Sequence, residues 1–444
     1  MRHILLPTLM TLTLAACGDV AQLPVSAGMG IKPELPEPRP GLIPTVNIAS
    51  VVGWPEGATP IAAEGMKVNL FAQGLDHPRW LYELPNGDIL VAETNTPSNP
   101  DAGFSLVRWI TGKFMALAGA GAPSADRITL LRDTNGDGIA DQRFAFLENL
   151  HSPFGMALIG NTFYVANTDA IVTFPYQNGD TKITAPPVNL IDLPSQSPNY
   201  HWTKNIIASL DDSKLYVTVG SNSNIGENGM EIEEGRAAIW EVDTKSGQHR
   251  IFASGLRNPN GLAWEPDSGA LWTAVNERDA IGSDLVPDYI TSVQDNGFYG
   301  WPYSYYGQHV DVRVQPQQPE LVASSLVPDY AVGAHTATLG LAVAHGNTLP
   351  SQYANGMFIG QHGSWNRKPS SGYQVLFVPF ANGKPRGMPI EVLTGFLNEK
   401  GEAQGRPVGV LVNQEGALLV ADDVGNAIWR VTAASPAQQS NTAK

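Results

Sequence analysis

Apolar residues in this chain come in short runs broken by turns, and one arrangement of runs returns six times. Each copy opens on a short apolar segment, often Pro-x-Gly-apolar-Ala. It then passes a Gly/Asn/Asp turn and closes on an apolar strand that ends in polar residues. The copies are Pro78-Arg79-Trp80-Leu81 with DILVAETN, Pro153-Phe154-Gly155-Met156-Ala157 with TFYVANTD, and Asn205-Ile206-Ile207-Ala208 with KLYVTVGSN. They continue as Pro259-Asn260-Gly261-Leu262-Ala263 with ALWTAVNERD, Leu339-Gly340-Leu341-Ala342 with MFIGQHGSWN, and Pro407-Val408-Gly409-Val410 with ALLVADDVGN. Short apolar runs bounded by turn residues predict β-strands, and turns such as Asn86-Gly87 and Glu415-Gly416 predict antiparallel hairpins. One such sheet cannot bury both of its faces, whereas six stacked around an axis do so and leave only short edges. The expectation is therefore an all-β fold, a six-bladed β-propeller of roughly 24 strands over residues 61–432, with a flexible tail at 433–444. A pair of β-sandwiches would not produce six copies.

In a propeller, equivalent strands run the same way in every blade, so the polar residues that close them converge on one mouth. Those residues are Glu93, Asn167, Ser221, Asn276, Glu277, His362, Asp422 and Asp423. A ring rich in carboxylates and amides suits a hard cation such as calcium. The stretch Asp133 to Asp141 (DTNGDGIAD) matches the first half of a calcium loop. Its twelfth position, however, is Phe144 where a bidentate Glu is needed, so it reads as a hairpin turn.

Composition narrows the class. Only 16% of residues are charged while 43% are hydrophobic, which excludes a disordered chain or a coiled coil. The net charge of −15 excludes a nucleic-acid partner, which needs clustered Lys and Arg.

The one sustained apolar run, Ile4 to Ala16, follows Arg2 and His3 and ends in Leu14-Ala15-Ala16-Cys17, the pattern of an export signal. The ending resembles the lipobox of bacterial lipoproteins, which implies a signal peptide at 1–16 and lipidation of Cys17. The expected location is then periplasm-facing, at the outer membrane, reached through a lipid anchor. Cys17 is the only cysteine, so no internal disulfide and no CxxCH haem attachment is possible. Residues 17–60 carry Pro24, Pro33, Pro36, Pro38, Pro40 and Pro44 and read as an extended tether that lifts the domain off the membrane.

Three stretches hold more polar and aromatic residues than structural strands need: Asn199 to Lys204, Gly255 to Gly261, and Gln361 to Lys368. The order His201, LRNPNGLAW, VNERD, Tyr299-Gly300-Trp301-Pro302, GQHGSWNR and Gly405-Arg406-Pro407 resembles the pyrroloquinoline quinone (PQQ)-dependent sugar dehydrogenases. The likeness, over roughly residues 65–432, is to the sorbosone dehydrogenase branch, and more distantly to soluble glucose dehydrogenase and aldose sugar dehydrogenase. It implies a six-bladed propeller that holds PQQ and calcium at its mouth.

Carried onto this chain, the resemblance makes His201 the general base, taking the proton of a substrate hydroxyl while hydride leaves for the quinone. Arg257 and Asn258 match the pair at the quinone, with Asn260 and Thr338 alongside. Arg406 matches an arginine that pairs with the cofactor's carboxylates. Val408 stands where glucose-type members have a second arginine, so Arg367 or Lys368 is expected to supply that charge. Asn276, Glu277, Arg278 and Asp279 align with the calcium-binding turn, whose contacts are mainly backbone carbonyls. The expected substrate is a sugar or a sugar-derived aldehyde, and the expected electron acceptor a quinone or cytochrome. Two other functions fit the same fold. One is a calcium-dependent lactonase using Glu93, Asn167, Asn276 and Asp422, and the other is a non-catalytic binding propeller.

Overall fold

The structure is a computed structural model, which describes residues 18–41, 45–97, 119, 121–346 and 348–434. Six sheets of mainly antiparallel strands follow one another along the chain, with a separate two-stranded ribbon, Ser304–Tyr305 with His309–Val310. Their innermost strands are Pro78–Glu83, Met156–Ile159, Ile206–Ala208, Pro259–Trp264, Thr338–Val343 and Pro407–Val412. These are the openings of the six sequence repeats, so each repeat is one blade and its apolar first segment lines the axis. The second strand of every copy pairs antiparallel with the first, as between Trp80 and Ala92 or Val410 and Val420, through a short turn in every blade but the fifth, where the connection carries the 3-10 helix Ser351–Tyr353.

Alternating side chains of each sheet pack against the next blade. The described residues accordingly form six apolar clusters, one per blade interface. Between blades one and two, Trp80, Leu90 and Phe146 meet Phe163 and Phe174. Between blades four and five, Trp272 and Tyr330 meet Ile359 and Phe380. Each such large side chain, wholly buried, contributes about 1.5–3 kcal/mol. The ring closes by exchange of ends: Met66–Gln73, from before the first blade, is the outer strand of the sixth, paired with Ala427–Ala433. One short α-helix, Pro319–Ser324, is present among the described residues, in the insert that follows blade four's third strand.

The proline-rich segment is not an extended tether. Met29–Gly30 pairs with Val332 and Ala331 at the edge of blade four, and Ile61–Ala62 pairs with blade five. Between them, Asn47 Nδ2 donates to the Arg367 carbonyl and Trp54 Nε1 to Asp422. Proline runs favour extended backbone whether the chain spans a gap or lies in a groove, so prolines alone do not separate the two. The Asp133–Asp141 stretch does form the hairpin turn joining Arg127–Arg132 to Gln142–Leu147. Its Asp133 carboxylate accepts the Gly136 and Gly138 N–H groups. Cys17 lies outside the described residues.

Candidate active site at the propeller mouth

The mouth is built from residues flanking the start of the inner strands and the end of their partners. On the side of blades three and four, His201 precedes an inner strand, and Gly220 and Ser221 close the strand beside it. A Cβ on Gly220 would lie 2.5 Å from both Asn258 Oδ1 and the His201 Cβ, so glycine is what lets these two side chains meet. His201 Nδ1 sits 2.8 Å from the Ser221 carbonyl oxygen and 3.0 Å from Ser221 Oγ. That hydroxyl already donates to the Ser223 carbonyl at 2.7 Å. Nδ1 faces two acceptors and must carry the proton, which leaves the Nε2 lone pair free. Burial, and then the Arg257 charge, pull the imidazole down to about 3, so it is neutral throughout the physiological range.

Arg257, 3% exposed, lies in a closed network. Its Nη1 donates to the Glu277 carbonyl at 2.6 Å, and Nη2 reaches Asn224 Oδ1 at 3.0 Å and Asp279 at 3.3 Å. Asp279 also pairs with His335 Nδ1 at 3.1 Å, and His335 Nε2 donates to the Gly282 carbonyl. Burial opposes the charged form of His335, but the Asp279 hydrogen bond and charge overcome it and raise its pKa. Burial likewise opposes the Asp279 carboxylate, and His335 and Arg257 bring it below the ordinary range.

A second cluster comes from blades one, five and six. Asp423 receives Arg79 Nη1 at 2.7 Å and His362 Nε2 at 2.8 Å, with His77 Nε2 at 3.4 Å. Burial alone would raise this carboxylate, yet His362, His77 and Arg79 hold it far below the usual range. Burial keeps His362 down at about 4. The Arg79 guanidinium lies 5.6 Å over the Trp202 ring, next to His201, and so joins the two clusters. Arg406 is 5% exposed and stacks on Tyr373 at 5.2 Å. Its one hydrogen bond from the guanidinium is to the Ala49 carbonyl at 3.3 Å, and no carboxylate of the described residues pairs with it. A cleft of about 490 Å³, walled by His77, Ser124, Arg127, Asp423 and Asn426, opens beside this cluster.

The sequence-predicted residues divide accordingly. His201, Arg257, Asn258, Asn276, Glu277 and Asp279 are gathered on the first side, and Arg406 on the second. Asn260 donates to Thr203 Oγ1 and receives Asn205, tying blade three to blade four. Thr338 is enclosed by Asp288, Thr336 and Gln361. Arg278 points to Asp311 at 3.1 Å. Arg367 is fully buried but turned to the Leu23 and Pro369 carbonyls and Asp284, and Lys368 is exposed beside Ala21. Both are turned away from Arg406, and the second arginine beside it at the mouth is Arg79, already paired with Asp423. Sequence patterns did not single out Arg79, His77 or His335. For the first two a signal existed: His77-Pro78-Arg79 flanks the proline opening its inner strand, as Asn258-Pro259 and Arg406-Pro407 do.

A flat tricarboxylate quinone needs unpaired buried cations and orphaned polar atoms around an opening. Arg406 meets that demand, as do Arg79 Nε and Asn258 Oδ1, which are buried without hydrogen-bond partners. Calcium fits less well. Of the two carbonyls expected to bind it, that of Glu277 already accepts Arg257, as does the flanking Asn276 carbonyl, which leaves that of Arg278 for an ion that takes six or more oxygens.

Comparison with known proteins agrees with this architecture. The sequence profile described as Domain of unknown function (DUF7133) matches residues 64–364, and one described as TrAA12-like matches 321–434. An uncharacterized protein of Borreliella burgdorferi is 27% identical over 301 residues, covering 65% of this chain and 77% of that one. The pyrroloquinoline quinone-dependent pyranose dehydrogenase of Coprinopsis cinerea is 24% identical over 291 residues, 52% of this chain but 39% of the longer enzyme. The solved holo form of that enzyme's PQQ domain superposes with a TM-score of 0.68 at 19% identity, covering 87% of this chain and 100% of the domain. The six-bladed fold is thus shared with PQQ-dependent sugar dehydrogenases.

Proposed function

The chain belongs to the family described as Domain of unknown function (DUF7133), and from that premise we propose that it is a PQQ-dependent dehydrogenase of a sugar or sugar-derived aldehyde. The observation that carries the reading is the presence, at one mouth, of a neutral histidine with a free Nε2 and a buried arginine without a counter-ion. When bound, PQQ supplies the two-electron acceptor. Arg406 and Arg79 would hold its carboxylates, and Arg257 would face negative charge as it develops on the reduced ring. His201 Nε2 accepts the proton of the substrate hydroxyl, or of an aldehyde hydrate, while hydrogen leaves the same carbon as hydride. The Nδ1–H bond to Ser221 keeps the ring in the accepting tautomer throughout. The electrons then pass to a quinone or cytochrome. Cys17 is read as the lipidated residue of an exported, periplasm-facing protein.

The lactonase reading lacks support at its proposed ligands. Glu93 is tied to Arg127 and Thr129, and Asp422 to Trp54, Trp429 and two backbone N–H groups. The test is dye reduction by the detergent-solubilised full chain with a panel of aldoses and osones, with and without PQQ. Turnover that requires PQQ is expected. Failure of PQQ to bind would overturn the proposal.

A further inference from the structure

We propose that the face bearing the mouth sits against the lipid bilayer, with the domain seated on the membrane instead of held away from it. The inference rests on reading Cys17 as the lipid-bearing residue and extends it to the orientation of the enzyme. Gly18 follows Cys17 directly, so one peptide unit of about 3.8 Å separates them. A Cβ on Gly18 would stand 2.7 Å from the Thr45 Cα, so the chain is already packed there. Asp19, next along, is pinned: its carboxylate accepts the Ser283 N–H at 2.6 Å and pairs with Arg39, and its carbonyl accepts Thr45 Oγ1 and Ser283 Oγ.

That attachment point belongs to the mouth. Ser283 adjoins Gly282, whose carbonyl accepts His335, and His335 pairs with Asp279, which pairs with Arg257. The lipid is therefore attached a few side chains from the candidate site. The surface around it suits the interface. Val20 is 50% exposed, Val46 47% and Trp365 43%. They are neighbours, since Ala21 N–H donates to the Lys368 carbonyl and Asn47 N–H to that of Trp365. An exposed Trp with a Lys beside it is favoured at headgroup depth. The opposite end of the propeller, made of the turns after the inner strands, exposes Asp211, Asp212, Asp267 and Glu415 and would be repelled by anionic headgroups, whereas the exposed Asp76 and the half-buried Asp169 of the mouth lie on blades one and two, not at Val20, Val46 or Trp365. A lipid-soluble quinone is the acceptor class that such an orientation brings to the site.

The test uses the full lipidated chain in phosphatidylethanolamine–phosphatidylglycerol vesicles. Cys17 is the only native cysteine, so Val46→Cys and Asp267→Cys each take a single environment-sensitive dye. Blue-shifted emission and quenching by spin-labelled lipid at position 46, with neither at 267, is the expected result. Equal responses, or a stronger one at 267, would overturn the orientation. Recovery of the wild-type chain in the aqueous phase of a detergent partition would overturn the anchor itself. Neither outcome touches PQQ-dependent dye reduction, so failure here and failure of the dehydrogenase reading are separable.

Discussion

The two sides of the mouth handle buried charge differently. On the side of blades three and four, Arg257, Asp279 and His335 satisfy one another, and His201 is neutral. Opposite them, Asp423 gathers Arg79 and His362, while Arg406 is left with a weak backbone contact and a tyrosine face. A closed network fixes geometry and asks for no ligand. A buried cation without a counter-ion is tolerated where an anion completes it. On the proposed function, the first side would do the chemistry and the second would hold a carboxylate-bearing cofactor.

The sharpest way to break that division is to remove the base. His201→Ala is expected to lower kcat by about 10²–10⁴ while PQQ affinity, read by equilibrium dialysis, stays near wild type. Loss of binding in place of turnover would place His201 on the holding side. Next in size, Asp423→Ala leaves Arg79 and His362 without their carboxylate and should destabilise the fold by about 3–5 kcal/mol, measured by denaturant unfolding. Arg406→Leu should do the reverse: unfolding stability unchanged or higher, with PQQ affinity down roughly 10–100-fold. Arg257→Leu, which takes from Asp279 one of its two cationic partners, should cost stability. If the two arginine variants behave alike, the contrast between the sides fails.

Much of this architecture is legible in the amino-acid order alone. Six repeats make six blades because each inner strand must be apolar to line the axis, and a period of that kind survives divergence. His201 and Arg257 stand in motifs dense enough to recognise. Pairing across blades is what the linear order hides: nothing near Arg79 in sequence points to Asp423, 344 positions away. Arg367 misleads for the matching reason, since its partner Leu23 lies in a segment whose prolines suggest a free tether.

The histidines sharpen the comparison through pH. His201 and His362 are held down, at about 3 and about 4, by burial. Each favours the folded state only while neutral, so their effect is to weaken stability as pH falls below the unfolded value of about 6.5. His335 is raised, so the stability it adds is full below about 6.5 and disappears as pH rises through its folded pKa. His362→Gln should therefore flatten the acid side of a stability–pH curve, and His335→Gln the alkaline side. The base form of His201 should also persist at about pH 5, so an acid loss of kcat/KM just above that pH would have to arise elsewhere.

The smallest expected effect is that of chelation, and it tests the first side's closure most directly. If the Glu277 carbonyl remains with Arg257 Nη1 at 2.6 Å, no oxygen cage is open to a divalent ion there. Washing with EDTA should then change PQQ affinity by less than about twofold, because a hard cation needs six or more oxygens and the Asn276 and Glu277 carbonyls of this turn are engaged. A strong calcium requirement would mean that Arg257 swings off the Glu277 and Asn276 carbonyls when the cofactor arrives. Asp279 would then lose one of its two cationic partners. The Arg257→Leu variant would separate the cases: with those carbonyls already released, it should gain calcium affinity if the arginine is what excludes the ion, and gain none if the turn cannot form a cage.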